Sequence, residues 1–235
     1  MTAGNLKTLM LVGAHHDDNE LNAGTIQKHA GAGWRVISVV VTNGRYSQDG
    51  VSDENVKIRN QESLAAAELL GMDAVFLGFD EGCFRESEDT TRAVVVEIRK
   101  HEPDVIITHP PHDYHNDHMQ VSRCVLNAVY LCGNTAYDGG EAPIRKNPGL
   151  YYCDAWLVSF EPDVYVDVSD CMEMKEKALA CHASQLPPKG SSEDDMIDLE
   201  RIRARTRGLQ AGCTYAEAFR FVPRAGKVRM AGLLG

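Results

Sequence analysis

No apolar run in this 235-residue chain approaches the roughly 18 residues needed to cross a bilayer. Its opening, Met1 to Lys7, also lacks the charged start and long apolar stretch of a secretory signal, so a cytoplasmic location is expected, with no membrane insertion. Disulfides are poorly provided for: the seven cysteines are odd in number and no two stand in Cys-x-x-Cys spacing, which favours reduced, mostly buried thiols. Positive charge is in short supply, with 24 Lys and Arg against 34 Asp and Glu. The resulting net charge of −10 repels nucleic acid and anionic membranes at distance, so neither is an expected partner. No G-x-G-x-x-G dinucleotide fingerprint follows the first strand, and no internal repeat is found. Aromatics make up only 7%, and Trp34 and Trp156 read as packing residues rather than sugar platforms.

What is present is ordinary globular material, 43% hydrophobic and 25% charged, long enough for one domain. Apolar runs over 6–12 and 35–42 read as buried parallel strands, separated by a helix from about Asn19 that stops at Gly31 and Gly33. A helix over about 55–70 ends at Gly71, a short strand follows over 74–77, a helix over 90–101, and a strand over 104–108. Strand and helix thus alternate through residue 131, the pattern of an α/β fold: a Rossmann-like three-layer sandwich with a mostly parallel sheet and helices on both faces. Residues 132–150 read as an excursion loop. Beyond it, 155–160 and 164–168 read as strands, and 172–182, 196–209 and 215–219 as helices. This part, 132–235, is expected to extend the same domain as the regular core of 1–131. The segment 187–195 reads as an exposed loop, with a lid as the less favoured reading.

Two stretches carry chemistry. Ala14-His15-His16-Asp17-Asp18 and His109-Pro-Pro-His-Asp-Tyr-His115-Asn-Asp117-His118 each follow a buried strand and open into a helix. At the carboxyl ends of neighbouring parallel strands they share one crevice. Imidazole and carboxylate are the ligand types of a catalytic zinc site with an open position for water. Adjacent side chains on a tight turn diverge, so one of Asp17 and Asp18 can bind metal while the other faces substrate. His115 and His118, three apart, fall on one side of a helical turn, with Asn116 or Asp113 suited to cap it. Asp80 follows a strand at the same edge, where it meets a sugar hydroxyl or simply forms a turn. His182 reads as structural at a helix C-terminus. The Arg201, Arg203, Arg205, Arg207 series reads as solvated or interfacial.

At these residues the chain resembles the LmbE-like N-acetylglucosaminyl deacetylases, a family that includes the de-N-acetylase of glycosylphosphatidylinositol synthesis. The pattern Ala-His-Pro-Asp-Asp-x-Glu is met by Ala14 to Glu20, and His-x-Asp-His by His115 to His118. Thr42-Asn43-Gly44, Arg59-x-x-Glu62, Leu77-Gly78-Phe79, His182-Ala-Ser-Gln185 and Tyr215 to Arg220 extend the likeness over nearly the whole chain. The resemblance implies a zinc ion on His15, Asp18 and His118, with Asp17 as general base and His115 steadying the oxyanion or acting as acid. Asp117 is expected to orient or charge His115, and Arg59 to contact the sugar. It further implies a small amino-sugar substrate and a trimer or hexamer. His16 stands where the family has proline and is expected to point away from the metal; Asn43 stands where aspartate is common. The expected function is zinc-dependent removal of acetyl from an N-acetylglucosamine-type sugar. The alternatives are a zinc amidase of a sugar-thiol conjugate, or a non-catalytic sugar or nucleotide binder.

Overall fold

The computed structural model describes residues 6–156, 158–188 and 195–223. Its centre is a seven-stranded sheet in the order β5-β2-β1-β6-β7-β9-β8. The strands are β1 (Thr8–Gly13), β2 (Arg35–Thr42), β5 (Asp73–Phe79), β6 (Val105–Thr108), β7 (Gly149–Cys153), β8 (Val164–Asp167) and β9 (Ala216–Phe221). Strands β5, β2, β1, β6 and β7 are parallel, and β9 runs antiparallel to both β7 and β8. A separate two-stranded ribbon, β3 (Tyr46–Ser47) and β4 (Gly50–Val51), lies between β2 and the next helix.

The helices are α1 (Ala23–Gly31), α2 (Asp53–Leu70), α3 (Glu88–His101), α4 (Asn116–Leu131), α5 (Met172–Ala180) and α6 (Met196–Ala211). Successive residues of β1 point to opposite faces, so Leu9 and Leu11 join one core with α1 residues, while Met10 and Val12 join the other with α3 and α4. Both cores are buried, which explains why β1, β2 and β6 read as continuous apolar runs rather than alternating ones.

Helix limits follow local chemistry. Ser52 and Ser87 accept from the backbone N–H groups of Asn55 and Thr90 to start α2 and α3, and Gly71 closes α2 in the left-handed region. The expected helix from Asn19 begins instead as a 3-10 turn, Asn19–Asn22, before α1.

Three sequence expectations fail. The described residues of 155–160 form no strand; the strand lies earlier, as β7, beginning in the last two residues of what read as an excursion loop. Residues 216–221 form strand β9 rather than a helix. The α4 cap is His115, whose Nδ1 accepts from the Asp117 N–H, and not Asn116 or Asp113. The core of the proposed loop or lid, 189–194, lies outside the described residues. No helix among the described residues is long and apolar enough to cross a membrane.

Candidate active site

Neighbouring β1 and β6 deliver both motifs to the same edge of the sheet. Gly13 ends β1 where a Cβ would stand 2.8 Å from Asn19 Oδ1 and 2.9 Å from Asp18 Cβ, so its bare backbone lets the turn fold back over the strand end. That fold-back carries Asp18 under His15, whose N–H donates to Asp18 Oδ2 at 2.6 Å. From the other strand, His118 comes off the first turn of α4.

Two imidazole nitrogens and both oxygens of one carboxylate converge. His15 Nδ1 lies 3.1 Å from His118 Nε2 and 3.4 Å from Asp18 Oδ2, and His118 Nε2 lies 3.3 Å from Asp18 Oδ1. Ligands in a tetrahedral zinc shell, about 2.0–2.1 Å from the ion, stand about 3.3 Å from one another, so the spacing fits. The outer nitrogens also fit: His118 Nδ1 is 3.0 Å from Asp113 Oδ1, and His15 Nε2 is 3.5 Å from the buried Asp117 Oδ2. Each carboxylate draws the proton to the outer nitrogen, leaving a lone pair on the inner one. Two lone pairs facing each other at 3.1 Å beside a carboxylate would be satisfied by a cation between them, a metal ion or a proton. The same demand shows in the metal-free proton affinities. Burial opposes charge on both rings, yet Asp18, helped by Asp117 for His15 and Asp113 for His118, raises them to about 10 and about 9.

His109 packs behind the trio. Its ring stacks on His118 at 3.9 Å between centroids, and its Nε2 stands 3.1 Å from Asp18 Oδ2 and 3.0 Å from the Ala14 nitrogen. Asp18, His109 and His118 form a second set of possible ligands, as do His15, His115 and His118.

Asp17 turns away from Asp18, as the divergence argument requires, and its Oδ1 accepts from Arg59 Nη2 at 2.9 Å. Burial acts to raise the Asp17 carboxyl, but the Arg59 guanidinium, with His182 and His15 adding to it, holds the group below the ordinary carboxylate range. Arg59 is itself 2% exposed, and its Nη1 donates to Glu81 Oε1 at 2.9 Å and to the Tyr46 carbonyl. The guanidinium therefore grips two carboxylates of the site.

His115 stands edge-on to His15 at 4.6 Å between ring centroids. Burial lowers its proton affinity, and the neighbouring His15 and His118 lower it further. Asp117 reaches it in two ways: its backbone N–H donates to His115 Nδ1, and its carboxylate, which accepts from the Gly82 N–H at 2.6 Å and faces His15, acts on the His115 ring by charge alone, favouring the protonated form. Asp80 is exposed and accepts from Asn43, so the acidic residue that lines the cleft is its neighbour Glu81. His16 is fully buried away from the trio, its Nε2 on Asn60 Oδ1 at 2.7 Å and its ring stacked on Phe76. Gly44, at φ +72°, makes room for that ring: a Cβ there would stand 2.5 Å from His16 Cε1. Packing thus supplies the stiffness that proline would give the turn. His182 is buried 3.6 Å from Glu20, and its charge also acts on Asp17.

The cleft, about 180 Å³, is lined by the trio together with Asp17, Arg59, Glu81, Tyr114, His115, Trp156 and Gln185, among others. Of these, Glu81, Tyr114, Gln185 and Trp156 escaped the sequence reading. Glu81 and Tyr114 adjoin residues that were singled out, but Trp156 had been set aside as packing, which Trp34, against His29 and Lys7, is.

A mostly parallel sheet with an acid and imidazole cluster at its carboxyl edge is the arrangement of an α/β enzyme whose site lies at the strand ends. Residues 10–129 match the family described as PIG-L, GlcNAc-PI de-N-acetylase, and the chain belongs to that family of N-deacetylases. It is 27% identical to a diacetylchitobiose deacetylase of Thermococcus kodakarensis over 93% of this chain and 84% of the relative. It is 25% identical to a 4-oxalmesaconate hydratase of Pseudomonas putida over 76% and 74%. Its fold superposes on N,N'-diacetylchitobiose deacetylase from Pyrococcus horikoshii with a TM-score of 0.82 at 25% identity, covering 93% of this chain and 85% of that one.

Proposed function

We infer that the protein is a zinc-dependent hydrolase that removes acetyl from a neutral N-acetylglucosamine-type sugar. The observation that carries this reading is the convergence of His15 Nδ1, Asp18 and His118 Nε2 at 3.1–3.4 Å, with the ionised Asp17 beside them. His15, Asp18 and His118 would hold the metal. When bound there, zinc supplies the Lewis acid that polarises the amide carbonyl and acidifies water.

The chain's own groups do the rest. Asp17, deprotonated at neutral pH and fixed by Arg59, takes the proton of the attacking water and returns it to the leaving amine. His115 accepts at Nδ1 from the Asp117 N–H, so its neutral ring carries the remaining proton on Nε2. A low proton affinity keeps it an N–H donor, placed to stabilise a developing oxyanion. Asp117 and Asp113 fix the tautomers of His15 and His118. Arg59 acts on the reaction through Asp17 and Glu81 rather than by gripping the sugar.

A hydratase-type reaction on a polycarboxylate, which the Pseudomonas putida relative brings to mind, suits this cleft less well. Arg59 is the sole Arg or Lys lining the cleft among the described residues, and both its ends are occupied by carboxylates. Asp17, Asp18 and Glu81 leave the lining acidic, which favours an uncharged substrate. The retained Asp17 likewise favours an enzyme over a mere binder. A sugar-thiol conjugate contains the same amide chemistry and is separated by assay. The deciding test is acetate release by purified protein from N-acetylglucosamine and N,N'-diacetylchitobiose, abolished by a chelator and restored by zinc; no acetate from any N-acetyl sugar with zinc bound overturns the reading.

A further inference from the structure

Trp156 follows β7 at the carboxyl edge of the sheet and is fixed there from two sides. Its Nε1 donates to Glu200 Oε1 at 2.5 Å, and the Arg203 guanidinium lies 6.0 Å over its ring. Glu200 is 1% exposed and is itself held by Lys175 Nζ at 2.9 Å and Arg203 Nη2 at 2.6 Å. A half-exposed tryptophan anchored to a buried carboxylate that two cations hold is a positioned wall.

Trp156 lines two cavities. One is the catalytic cleft; the other is an open groove of about 300 Å³ formed by Ala155, Leu199, Ile202 and Thr206 with the ion-paired Asp154, Arg203 and Arg207. Helix α6 runs along both, with Met196 in its first turn lining the cleft and Leu199 and Ile202, one and two turns on, lining the groove. The cleft, at about 180 Å³, is smaller than the roughly 300–1,000 Å³ usual for small-molecule sites. It has the scale of one acylated sugar ring, so whatever is joined to that ring must leave it.

The groove's chemistry selects what it takes. Arg207 is tied to both oxygens of Asp154, at 2.6 and 2.9 Å, and Arg203 to Glu200 and the Asp154 carbonyl. The Thr206 hydroxyl donates to the Ile202 carbonyl of its own helix. No charge is left over to hold a phosphate, while Ile202 is 64% exposed with Leu199 and the Trp156 ring beside it. We propose that this groove is the subsite for an apolar, planar aglycone carried by the amino sugar, with Trp156 and Ile202 as its specificity-determining residues. The proposal deepens the deacetylase reading above and rests on it for the position of the sugar.

The test uses methyl and phenyl glycosides of N-acetylglucosamine, in both anomers, with the zinc-loaded protein. In wild type, the phenyl compound of at least one anomer should show kcat/KM about tenfold above its methyl counterpart, mostly through KM; that is about 1.4 kcal/mol. Ile202→Asp, a change at an exposed helix position, and Trp156→Ala should each erase the preference. Equal kcat/KM for phenyl and methyl in both anomers, or a preference that survives Ile202→Asp, overturns the proposal. Calorimetric titration with the same four glycosides separates it from the reading it rests on. If no acetate is released but phenyl binds tenfold tighter than methyl and Ile202→Asp removes the difference, the groove stands and the deacetylase reading falls. Equal binding in wild type sinks the groove whatever the chemistry.

Discussion

Asp17 and Asp18 are consecutive in the chain yet live in different surroundings. Asp18 faces three imidazoles and a backbone N–H, while Asp17 faces one guanidinium and the cleft. Loss of charge should therefore act differently at the two. Asp17→Asn removes a proton acceptor without touching the convergent trio, so kcat should fall by about 10²–10⁴ while zinc content by metal analysis stays near wild type. Wild-type turnover in that variant would show that another group is the base. Arg59 tunes the same acid. Because it depresses Asp17, the pair stabilises the fold above the usual carboxylate pKa and loses that contribution as pH falls through the lowered value. Arg59→Met should shift the acidic limb of the kcat/KM profile upward by about 1–3 pH units, since a buried carboxylate without its partner holds its proton more tightly. An unmoved limb would break the link between Arg59 and the base.

At the scale of elements, β9 is the least legible part of the sequence and the most consequential for packing. Ala216-Glu-Ala-Phe219 looks like helix by composition, and the glutamate looks solvated. In the fold, Glu217 is buried: its carboxylate caps α1 by accepting from the Gly24 and Thr25 N–H groups at 3.0 and 2.8 Å, and it pairs with Lys175 Nζ at 2.9 Å. Its partners lie 42 and almost 200 positions away, so no local pattern announces them. Glu217→Ala leaves a buried ammonium and two helix N–H groups short of an acceptor, and should cost about 3–5 kcal/mol in denaturant unfolding. A loss below about 1 kcal/mol would mean the network is dispensable. The strands β1, β2 and β6 were legible because both faces of each are buried, which forces unbroken apolar runs. Strand β7 was hidden because Asn147-Pro148 and the glycines before it read as loop, although Gly149–Cys153 is buried throughout. The site was legible where its residues cluster in sequence, at 15–18 and 115–118. The parts set by tertiary packing, such as Glu81 under Arg59, Asp117 facing His15 and Trp156 on Glu200, were not.

Across the whole molecule, charge and architecture act in one direction. The net charge of −10 surrounds a cleft in which the one lining guanidinium among the described residues is neutralised twice over. An anionic sugar is therefore repelled first by the protein at long range and then by Asp17 and Glu81 within the site, apart from any attraction to a bound metal. Only the first of these is screened by salt, because the Debye length falls from about 30 Å at 0.01 M to about 3 Å at 1 M. The comparison of N-acetylglucosamine with its 6-phosphate separates the two contributions. At about 0.01 M salt the phosphate should be deacetylated with kcat/KM about tenfold lower, the difference lying in KM. The gap should narrow toward about two- to threefold as salt approaches 1 M, with the neutral sugar nearly indifferent to salt. A phosphate preferred at low salt would mean that a free cationic group reaches the cleft, and the reading of Arg59 as spent on its two carboxylates would have to be abandoned.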